Sequence, residues 1–276
     1  FEYNSGKPID GVIHFAGLKS VVESLSLPLS YWDVNVNGTI NVIRSMQQFG
    51  CKNIVFSSSA TLYGIVESKK IKETDLINPT NPYGNTKYAI EKLLNDLYNS
   101  DKKNWKIACL RYFNPIGAHT TGELGEAPQL NCNNIFPKVL NVASGEMNHL
   151  EVLGKDWPTK DGTGVRDYIH VLDLAEGHIA AIDYLQKNKP QFICLNLGTG
   201  KGTSVLDLIE TFKKVNNIDI PFIFKSRRSG DVPYMVADNS LALSKLDWYP
   251  FRNIKDMCID GWKWKKNNPN GYESIY

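Results

Sequence analysis

Short apolar runs alternate with amphipathic stretches over the first 115 residues, and this alternation constrains the fold more than any other feature. Apolar runs occupy 11–17, 53–60 and 107–114, and stretches with helical periodicity lie between them at about 36–50 and 83–98. Continuously apolar strands separated by helices are typical of a parallel sheet that is covered on both faces. The pattern therefore predicts an α/β fold with a doubly wound parallel sheet, in which ligands bind beyond the carboxyl ends of the strands.

The second half of the chain first loosens and then resumes the alternation. Loops rich in Gly, Pro and Asn fill about 115–170, with a helix near 135–146 and a short strand near 150–153. A second set of elements is then predicted: a helix near 171–187, a strand at 193–198, a helix after Ser204, a strand at 221–226 and Trp-rich helical turns. We expect a nucleotide-binding domain formed by 1–115 and about 167–200, and a smaller substrate lobe formed by about 116–166 and 201–276.

Charge and cysteine content exclude several classes of protein. The 31 basic and 29 acidic side chains nearly balance, which disfavours a disordered chain or a basic face that binds nucleic acid. No apolar run approaches the roughly 18 residues that a membrane span needs, and the start, FEYNSGKPID, does not resemble a signal peptide. The five cysteines are scattered, which argues against disulfides and a metal site. The composition predicts a reduced, cytoplasmic, globular protein.

Tyr83 and Lys87 are the strongest candidates for catalysis. At about 100° per residue they share a helical stripe with Ile90, Leu94 and Leu97, the face that packs on the sheet, so their polar ends lie near the strand tips. An adjacent ammonium favours a phenolate and lowers the pKa of a tyrosine from about 10 towards neutrality. The pair is thus predicted to accept a proton. The alternative is a half-buried tyrosine beside a lysine whose charged end reaches solvent.

The same Tyr-x-x-x-Lys spacing occurs at three other places, where the context disfavours it. Glycine and proline interrupt the first pair, the second points to solvent, and the third lies at a frayed helix end. These pairs are Tyr3/Lys7, Tyr88/Lys92 and Tyr98/Lys102.

Further polar residues lie at strand ends and in loops. The serines at 57–59 end a strand and offer hydroxyls to a ligand, although serines at such places are more often turn residues. Arg166 and the pair Arg227/Arg228 lie in predicted loops and suit a diphosphate if they face the core. The glycine-rich stretch at 198–202 matches neither phosphate-binding pattern and predicts a tight turn before a helix. The five histidines form no metal-binding pair and are interpreted as structural.

Several strings in the chain resemble the extended short-chain dehydrogenase/reductase family and, within it, the UDP-glucose 4-epimerases. The resemblance extends from about residue 9 to the C-terminus. The strings are HFAGLKSVVES (14–24), NVNGT (35–39), FSSSATLYG (56–64), NPYGNTKYAIEKLL (81–94), RYFNPIGAH (111–119), DGTGVRDYIHVLDLAEGH (161–178), NLGTGKG (196–202) and RRSGD (227–231).

This resemblance implies a Rossmann-like fold, NAD as cofactor, a UDP-sugar substrate, a homodimer and C4 epimerisation through a 4-keto sugar. It places catalysis on Tyr83, Lys87 and Ser59. The implied NAD contacts are Phe15, Ala16, Gly17, Leu18, Lys19, Asn35, Ser59, Tyr83, Lys87 and Phe113. The implied UDP-sugar contacts are Ser59, Tyr83, Asn114, Asn134, Ile135, Glu151, Leu153, Arg166, Arg228, Asp231 and Met235.

The chain departs from the family at several of these positions. Glu151 replaces a small residue and Leu153 replaces an aromatic one. Met235 stands where relatives specific for plain hexoses have a tyrosine, which predicts that N-acetylated sugars are also accepted unless Tyr234 fills the space. The family's G-x-x-G-x-x-G turn is absent, so the chain looks like an epimerase without its first quarter, and its activity alone stays open. The alternatives are another NAD-dependent sugar-nucleotide epimerase or dehydratase, and a fragment that only retains UDP-sugar contacts. A dehydratase carries Asp-Glu where this chain has Leu62-Tyr63.

Overall fold

The computed structural model describes residues 7–66, 70–127, 134–228 and 230–272. Tyr3 and Cys132, both considered above, lie outside these residues. The described strands are β1 (Val12–His14), β2 (Asn53–Ser59), β3 (Lys106–Tyr112), β4 (Asn114–Ile116), β5 (Leu150–Leu153), β6 (Val165–Arg166), β7 (Tyr168–His170), β8 (Gln191–Leu197), β9 (Thr203–Ser204), β10 (Phe222–Lys225) and β11 (Tyr234–Met235). The described α-helices are α1 (Val21–Ser26), α2 (Pro28–Tyr31), α3 (Gly38–Gln48), α4 (Pro82–Ser100), α5 (Ile135–Ala143), α6 (Val171–Lys187), α7 (Val205–Asn216), α8 (Ser240–Leu246) and α9 (Ile254–Asn267).

Four parallel strands form the central sheet in the order β1-β2-β3-β8. This confirms the predicted parallel sheet, although β1 is shorter than the apolar run at 11–17. The register pairs Ile54 with Ile107 and Cys109 with Cys194. Because all four strands run in one direction, their carboxyl ends lie at one edge of the sheet, where the predicted serines at 57–59 also lie.

Helices cover both faces of this sheet. Ile54, Phe56 and Ile107 pack with α3 and α4 on one face. Alternate residues such as Val55 and Leu110 pack with α6 and α8 on the other face. Successive residues of a strand point to opposite faces, so the continuous apolar runs in the sequence follow from burial on both sides.

A second apolar core lies outside the sheet. It joins α5, β5, α7 and α9, with Val139, Leu150, Phe212 and Met257 among its buried members. Short strands accompany it in the arrangements β5-β10, β11-β6-β9 and β4-β7. The α8 helix packs on the central sheet. The predicted division into two lobes assigns this helix to the substrate lobe instead, and the division stays a prediction.

A π-helix, Trp32–Asn37, precedes α3 without a break. Its wide turns hydrogen-bond five residues apart instead of four, a geometry that is rare and often found at functional sites. Tyr31, Asn35 and Thr39 on this stretch are all buried. None of the described helices combines the length and the apolar character that a bilayer crossing requires.

Candidate active site

The start of α4 places the Tyr-Lys pair. The Asn81 side chain caps the helix by accepting a hydrogen bond of 2.9 Å from the Gly84 amide, and Pro82 occupies the first turn. Tyr83 and Lys87 follow one turn apart and are 6% and 4% exposed. They lie on the buried face of the helix, as the periodicity predicts.

The Lys87 ammonium is buried beneath the serine strand. Its Nζ donates a 2.8 Å hydrogen bond to the Ser57 carbonyl and lies 5.7 Å from the centre of the Tyr83 ring. Burial lowers the pKa of Lys87 to about 8. The fold therefore holds a cation beside the phenol at an energetic cost.

Opposing influences act on the pKa of the Tyr83 phenol. Burial raises the pKa of its phenol above the usual value, and a hydrogen bond with Ser59 acts in the opposite direction. Desolvation is thus the largest influence on this pKa, and the proton-accepting role of the Tyr83-Lys87 pair stays a prediction. Ser59 Oγ accepts hydrogen bonds from the Thr61 amide and hydroxyl, so its own proton is available to the Tyr83 oxygen.

Asn35 fixes the loop after β1, where five of the implied NAD contacts lie. Its side chain accepts a 2.7 Å bond from the Leu18 amide and donates to the Leu18 carbonyl and to the Thr86 hydroxyl, both at 3.1 Å. A Cβ on Gly17 would lie 2.9 Å from the Asn35 amide oxygen and 4.0 Å from Lys87 Nζ. Any larger residue at position 17 would press on the Asn35 amide oxygen, so glycine permits this close approach of the loop to Asn35.

The other residues of this loop are more exposed. Phe15 is 54% exposed and its ring lies 4.4 Å from that of His178. Ala16 is exposed, and Lys19 forms an ion pair with Glu126 at 2.7 Å. The structure thus brings the loop to the Tyr-Lys pair through Asn35, Leu18 and Gly17.

The residues that follow β3 take part in a small apolar cluster and pair with the segment before β7. Phe113 is buried with Ala60, and Met235 packs against the same cluster. The Asn114 amide donates a 3.0 Å bond to the Asp167 carbonyl. The predicted cofactor residue Phe113 and the predicted specificity residue Met235 therefore belong to one apolar cluster.

Two arginines share one carboxylate. Asp231 Oδ1 accepts bonds from Arg166 Nη2 at 3.4 Å and from Arg228 Nη2 at 2.8 Å. Arg166 Nη1 also donates to the carbonyls of Val165 and Val232, each at 2.9 Å. Arg166 belongs to β6 rather than to a loop, and its register partner is Met235. Strand pairing thus brings the arginines and Met235 to one place.

Four predicted substrate contacts lie apart from this arrangement. Asn134 is the first residue before α5 and makes no capping bond, and Ile135 begins the helix. Glu151 is exposed and directed at Lys225, 3.6 Å away. Leu153 ends β5, the strand that also carries Glu151, and is half-buried. No side-chain contact in the described residues joins these four to the two arginines, so their roles stay predictions.

The sequence interpretation missed a buried ion pair behind the serine strand. Arg111 donates to Glu91 through Nε at 3.0 Å and Nη2 at 2.6 Å, and Ser58 Oγ donates to the same carboxylate at 2.6 Å. Glu91 lies one turn beyond Lys87 on the same face of α4. An arginine inside the apolar run at 107–114 is the signal that could have indicated it.

The glycine-rich turn at 198–202 binds a carboxylate of this chain. Asp167 accepts hydrogen bonds from the amides of Thr199, Gly200 and Ala237, at 2.8, 2.9 and 3.1 Å. The amides that a phosphate would need are thus already occupied. Ser204 caps α7 after the turn, which confirms that the turn leads into a helix.

Four of the five histidines make hydrogen bonds within the fold: His14, His119, His170 and His178. His14 Nε2 lies 2.9 Å from the Thr39 hydroxyl, which itself donates to the Asn35 carbonyl, so the histidine is the donor. Burial, and then the Lys87 charge, lower the pKa of His14. This histidine therefore supports the Asn35 turn in its neutral form.

Comparison with known proteins places these features in a family. The model of the NAD dependent epimerase/dehydratase family matches residues 2–198. A UDP-glucose 4-epimerase of Bacillus subtilis is 48% identical over 266 residues, which are 96% of this chain and 78% of that protein.

Solved structures agree. A UDP-glucose 4-epimerase of Stenotrophomonas maltophila, with bound NAD and formylated UDP-arabinopyranose, superposes with a TM-score of 0.93 at 45% identity and covers 96% of this chain and 78% of its own. A UDP-Glc/GlcNAc 4-epimerase of Campylobacter jejuni gives 0.81 at 34% identity, with 94% and 78% covered. The chain belongs to the NAD-dependent epimerase/dehydratase family.

Proposed function

We propose that the protein is an NAD-dependent isomerase that interconverts UDP-glucose and UDP-galactose. The carrying observation is the buried Tyr83-Lys87 pair beside Ser59 at the carboxyl ends of the strands. It occurs in a chain that is 48% identical to a UDP-glucose 4-epimerase over 96% of its length. The reaction oxidises sugar C4 to a ketone and reduces it again on the other face. NAD supplies the acceptor, and afterwards the donor, of the C4 hydrogen and its electrons.

The residues around Lys87 fit the cofactor. An ammonium has three donors, and Lys87 Nζ uses one for the Ser57 carbonyl, which leaves donors for ribose hydroxyls. The main chain at Gly17 passes within reach of this nitrogen. Asn35 holds the adjacent Leu18 by both its amide and its carbonyl, so this edge is rigid before a ligand arrives.

Tyr83 takes the proton of the sugar 4-hydroxyl and later returns it. Ser59 donates to the Tyr83 oxygen and thereby favours the phenolate, against the raising effect of burial. The Lys87 ammonium, whose Nζ lies 5.7 Å from the centre of the Tyr83 ring, stabilises the same charge. We expect the phenolate to depend on both neighbours and on the positive charge of the bound cofactor, because the buried tyrosine does not ionise readily alone.

Arg166 and Arg228 anchor the diphosphate. Both guanidinium groups are held by Asp231, which fixes their separation and leaves other donors free to bind phosphate oxygens. A sugar that must present both faces to the cofactor needs a tight anchor at the nucleotide and weak contacts at the hexose. Arginines at the anchor and hydroxyls around the hexose meet this requirement.

The Tyr83→Phe variant tests the assignment. Loss of the general base should lower kcat for UDP-galactose by about 100-fold or more, with little change in UDP affinity. Tyr88→Phe is the matched control, because Tyr88 is only partly buried and packs with Lys92 on another side of α4. Near wild-type turnover by Tyr83→Phe would contradict the role of Tyr83, and a 4-keto-6-deoxy product would indicate a dehydratase.

We propose that UDP-N-acetylhexosamines are also substrates. Met235 packs against the apolar cluster that contains Phe113 and can move aside, since methionine is slim and has three rotatable bonds. The Tyr234 hydroxyl is directed to the Pro158 carbonyl at 3.4 Å, so Tyr234 does not fill the same space. Met235→Tyr should selectively remove the N-acetyl activity, and Tyr234→Phe should retain it. A wild-type preference for plain sugars above about 1,000-fold, roughly 4 kcal/mol, would mean that the pocket is closed.

We also propose that the protein is a cytoplasmic homodimer. Leu29, Trp32 and Val34 are 83%, 42% and 46% exposed on consecutive turns before α3, and exposed apolar clusters of this kind mark protein interfaces. The described cysteines are free thiols, as in a reducing compartment. Light scattering should give twice the chain mass, and Leu29→Glu should give the monomer. A monomeric wild-type protein would contradict the dimer.

A further inference from the structure

Two free cysteines lie side by side at the centre of the sheet, away from the candidate site. Cys109 of β3 and Cys194 of β8 are register partners. Their sulfur atoms and a carboxylate oxygen of Glu91 all lie within 4.8 Å of one another. Neighbouring strands in a sheet lie about 4.8 Å apart. This spacing falls within the range of Cα separations, about 4.4–6.8 Å, at which two cysteines can form a disulfide.

The two thiols differ in access. Cys194 is partly exposed on the floor of a groove of about 210 Å³, whose walls include Tyr88, Lys92 and Phe192. Cys109 is 0% exposed. A small solute in the groove therefore reaches Cys194 first, and Cys109 reacts only with what forms there.

We propose that Cys109 and Cys194 form a redox site that closes reversibly to a disulfide with a peroxide as oxidant. The Cys194 sulfur attacks a peroxide oxygen; the O–O bond breaks, an S–O bond forms, and the thiol proton leaves with the other oxygen as water. The Cys109 sulfur then attacks the Cys194 sulfur; the S–S bond forms, and the departing hydroxide takes the Cys109 proton as a second water. The two thiols supply the two electrons that reduce the peroxide.

Glu91 assists the first step. Cys194 Sγ donates to Glu91 Oε2 over 3.8 Å, so a carboxylate is in place to accept the thiol proton and to pass it to the departing oxygen. Arg111 holds this oxygen at 2.6 Å from the other side. A disulfide adds no charge here, whereas a divalent cation would lie close to the Arg111 guanidinium. A cation would also require a Cys109 thiolate, and burial raises the pKa of that thiol. The surroundings therefore favour the disulfide over a metal site.

Peptide mapping tests the proposal on the folded protein. The protein is treated with hydrogen peroxide, alkylated, and digested with trypsin without reduction. We expect a cross-linked species that joins 107–111 to 188–201, lighter than the two peptides by two hydrogen atoms and absent after dithiothreitol. Cys194→Ser should abolish it, and Cys258→Ser, at a buried cysteine of the second core, should retain it.

Three results would overturn the proposal. The first is Cys194 oxidised to sulfinic acid without the cross-link. The second is a cross-link that forms only after unfolding in urea. The third is stoichiometric protection of Cys194 from alkylation by Zn²⁺ alone, which would make the cluster a metal site. Each of these results can be read from the peptide map of the wild-type chain, so a variant that fails to fold does not affect the conclusion.

Discussion

Replacing Lys87 by methionine should stabilise the fold while it abolishes activity. Burial lowers the pKa of Lys87 from 10.5 to about 8. At about 1.36 kcal/mol per pKa unit, this shift corresponds to roughly 3 kcal/mol that the charged lysine costs the folded state. Methionine keeps most of the apolar length of the lysine side chain and removes the charge, but it leaves the Ser57 carbonyl unpaired, which costs about 1 kcal/mol. A net gain of about 2 kcal/mol should remain at pH 7.

The pH dependence is the diagnostic part of this prediction. Below pH 8 the lysine is protonated in both the folded and the unfolded state, so the full penalty is present. Between about pH 8 and 10.5 the folded protein releases this proton while the unfolded chain keeps it, and wild-type stability rises relative to the variant. The advantage of Lys87→Met should therefore shrink as the pH rises through this window.

Thermal unfolding without added nucleotides, after removal of bound cofactor, measures this effect. A gain of about 2 kcal/mol corresponds to roughly 4–8 °C in Tm for a chain near this size. Lys92→Met is the matched control, because Lys92 is exposed on the same helix and its replacement should change stability by less than about 0.5 kcal/mol. A Lys87→Met variant that is less stable at pH 7, or whose gain does not vary with pH, would refute the reasoning.

Two further substitutions test the supports of the site. Arg111→Met should lower the free energy of unfolding in denaturant by about 3–5 kcal/mol, because it leaves the Glu91 carboxylate buried and unpaired. Adding Glu91→Leu should restore most of this loss. Wild-type stability in the Arg111→Met variant would contradict the stabilising role of this ion pair. Asn81→Ala should cost about 1 kcal/mol of stability and also lower kcat. The control Asn253→Ala removes the cap of α9 and should cost a similar amount without changing kcat. Equal kcat values for the two variants would show that the Asn81 cap does not position the Tyr83-Lys87 pair.

Local periodicity was sufficient to predict the helix face that carries the Tyr-Lys pair. The stripe of Tyr83, Lys87, Ile90 and Leu94 depends only on the helical repeat, and all four are buried. The direction of the Tyr83 pKa shift was not predictable in the same way. It depends on desolvation by segments that are distant in sequence, which is the largest influence on this pKa.

Long-range pairing accounts for the other differences. Glu91 and Arg111 meet only because α4 packs on β3, and Asp167 meets Thr199 of the turn at 198–202 across a separation of 32 residues. Arg166 becomes a strand residue by pairing across the chain with Met235 and Thr203. Such contacts are hard to detect in a sequence window of ten residues, except where a charged residue interrupts an apolar run.

The π-helix at Trp32–Asn37 has an evolutionary consequence. Tyr31 before it and Thr39 after it both face the interior, and Asn35 between them holds the loop after β1. Loss of a single codon here would turn one side of the helix by about 100° relative to the other, so one of these buried contacts would point to solvent. We expect lineages of this protein to change length in surface loops and to keep the length of this segment constant.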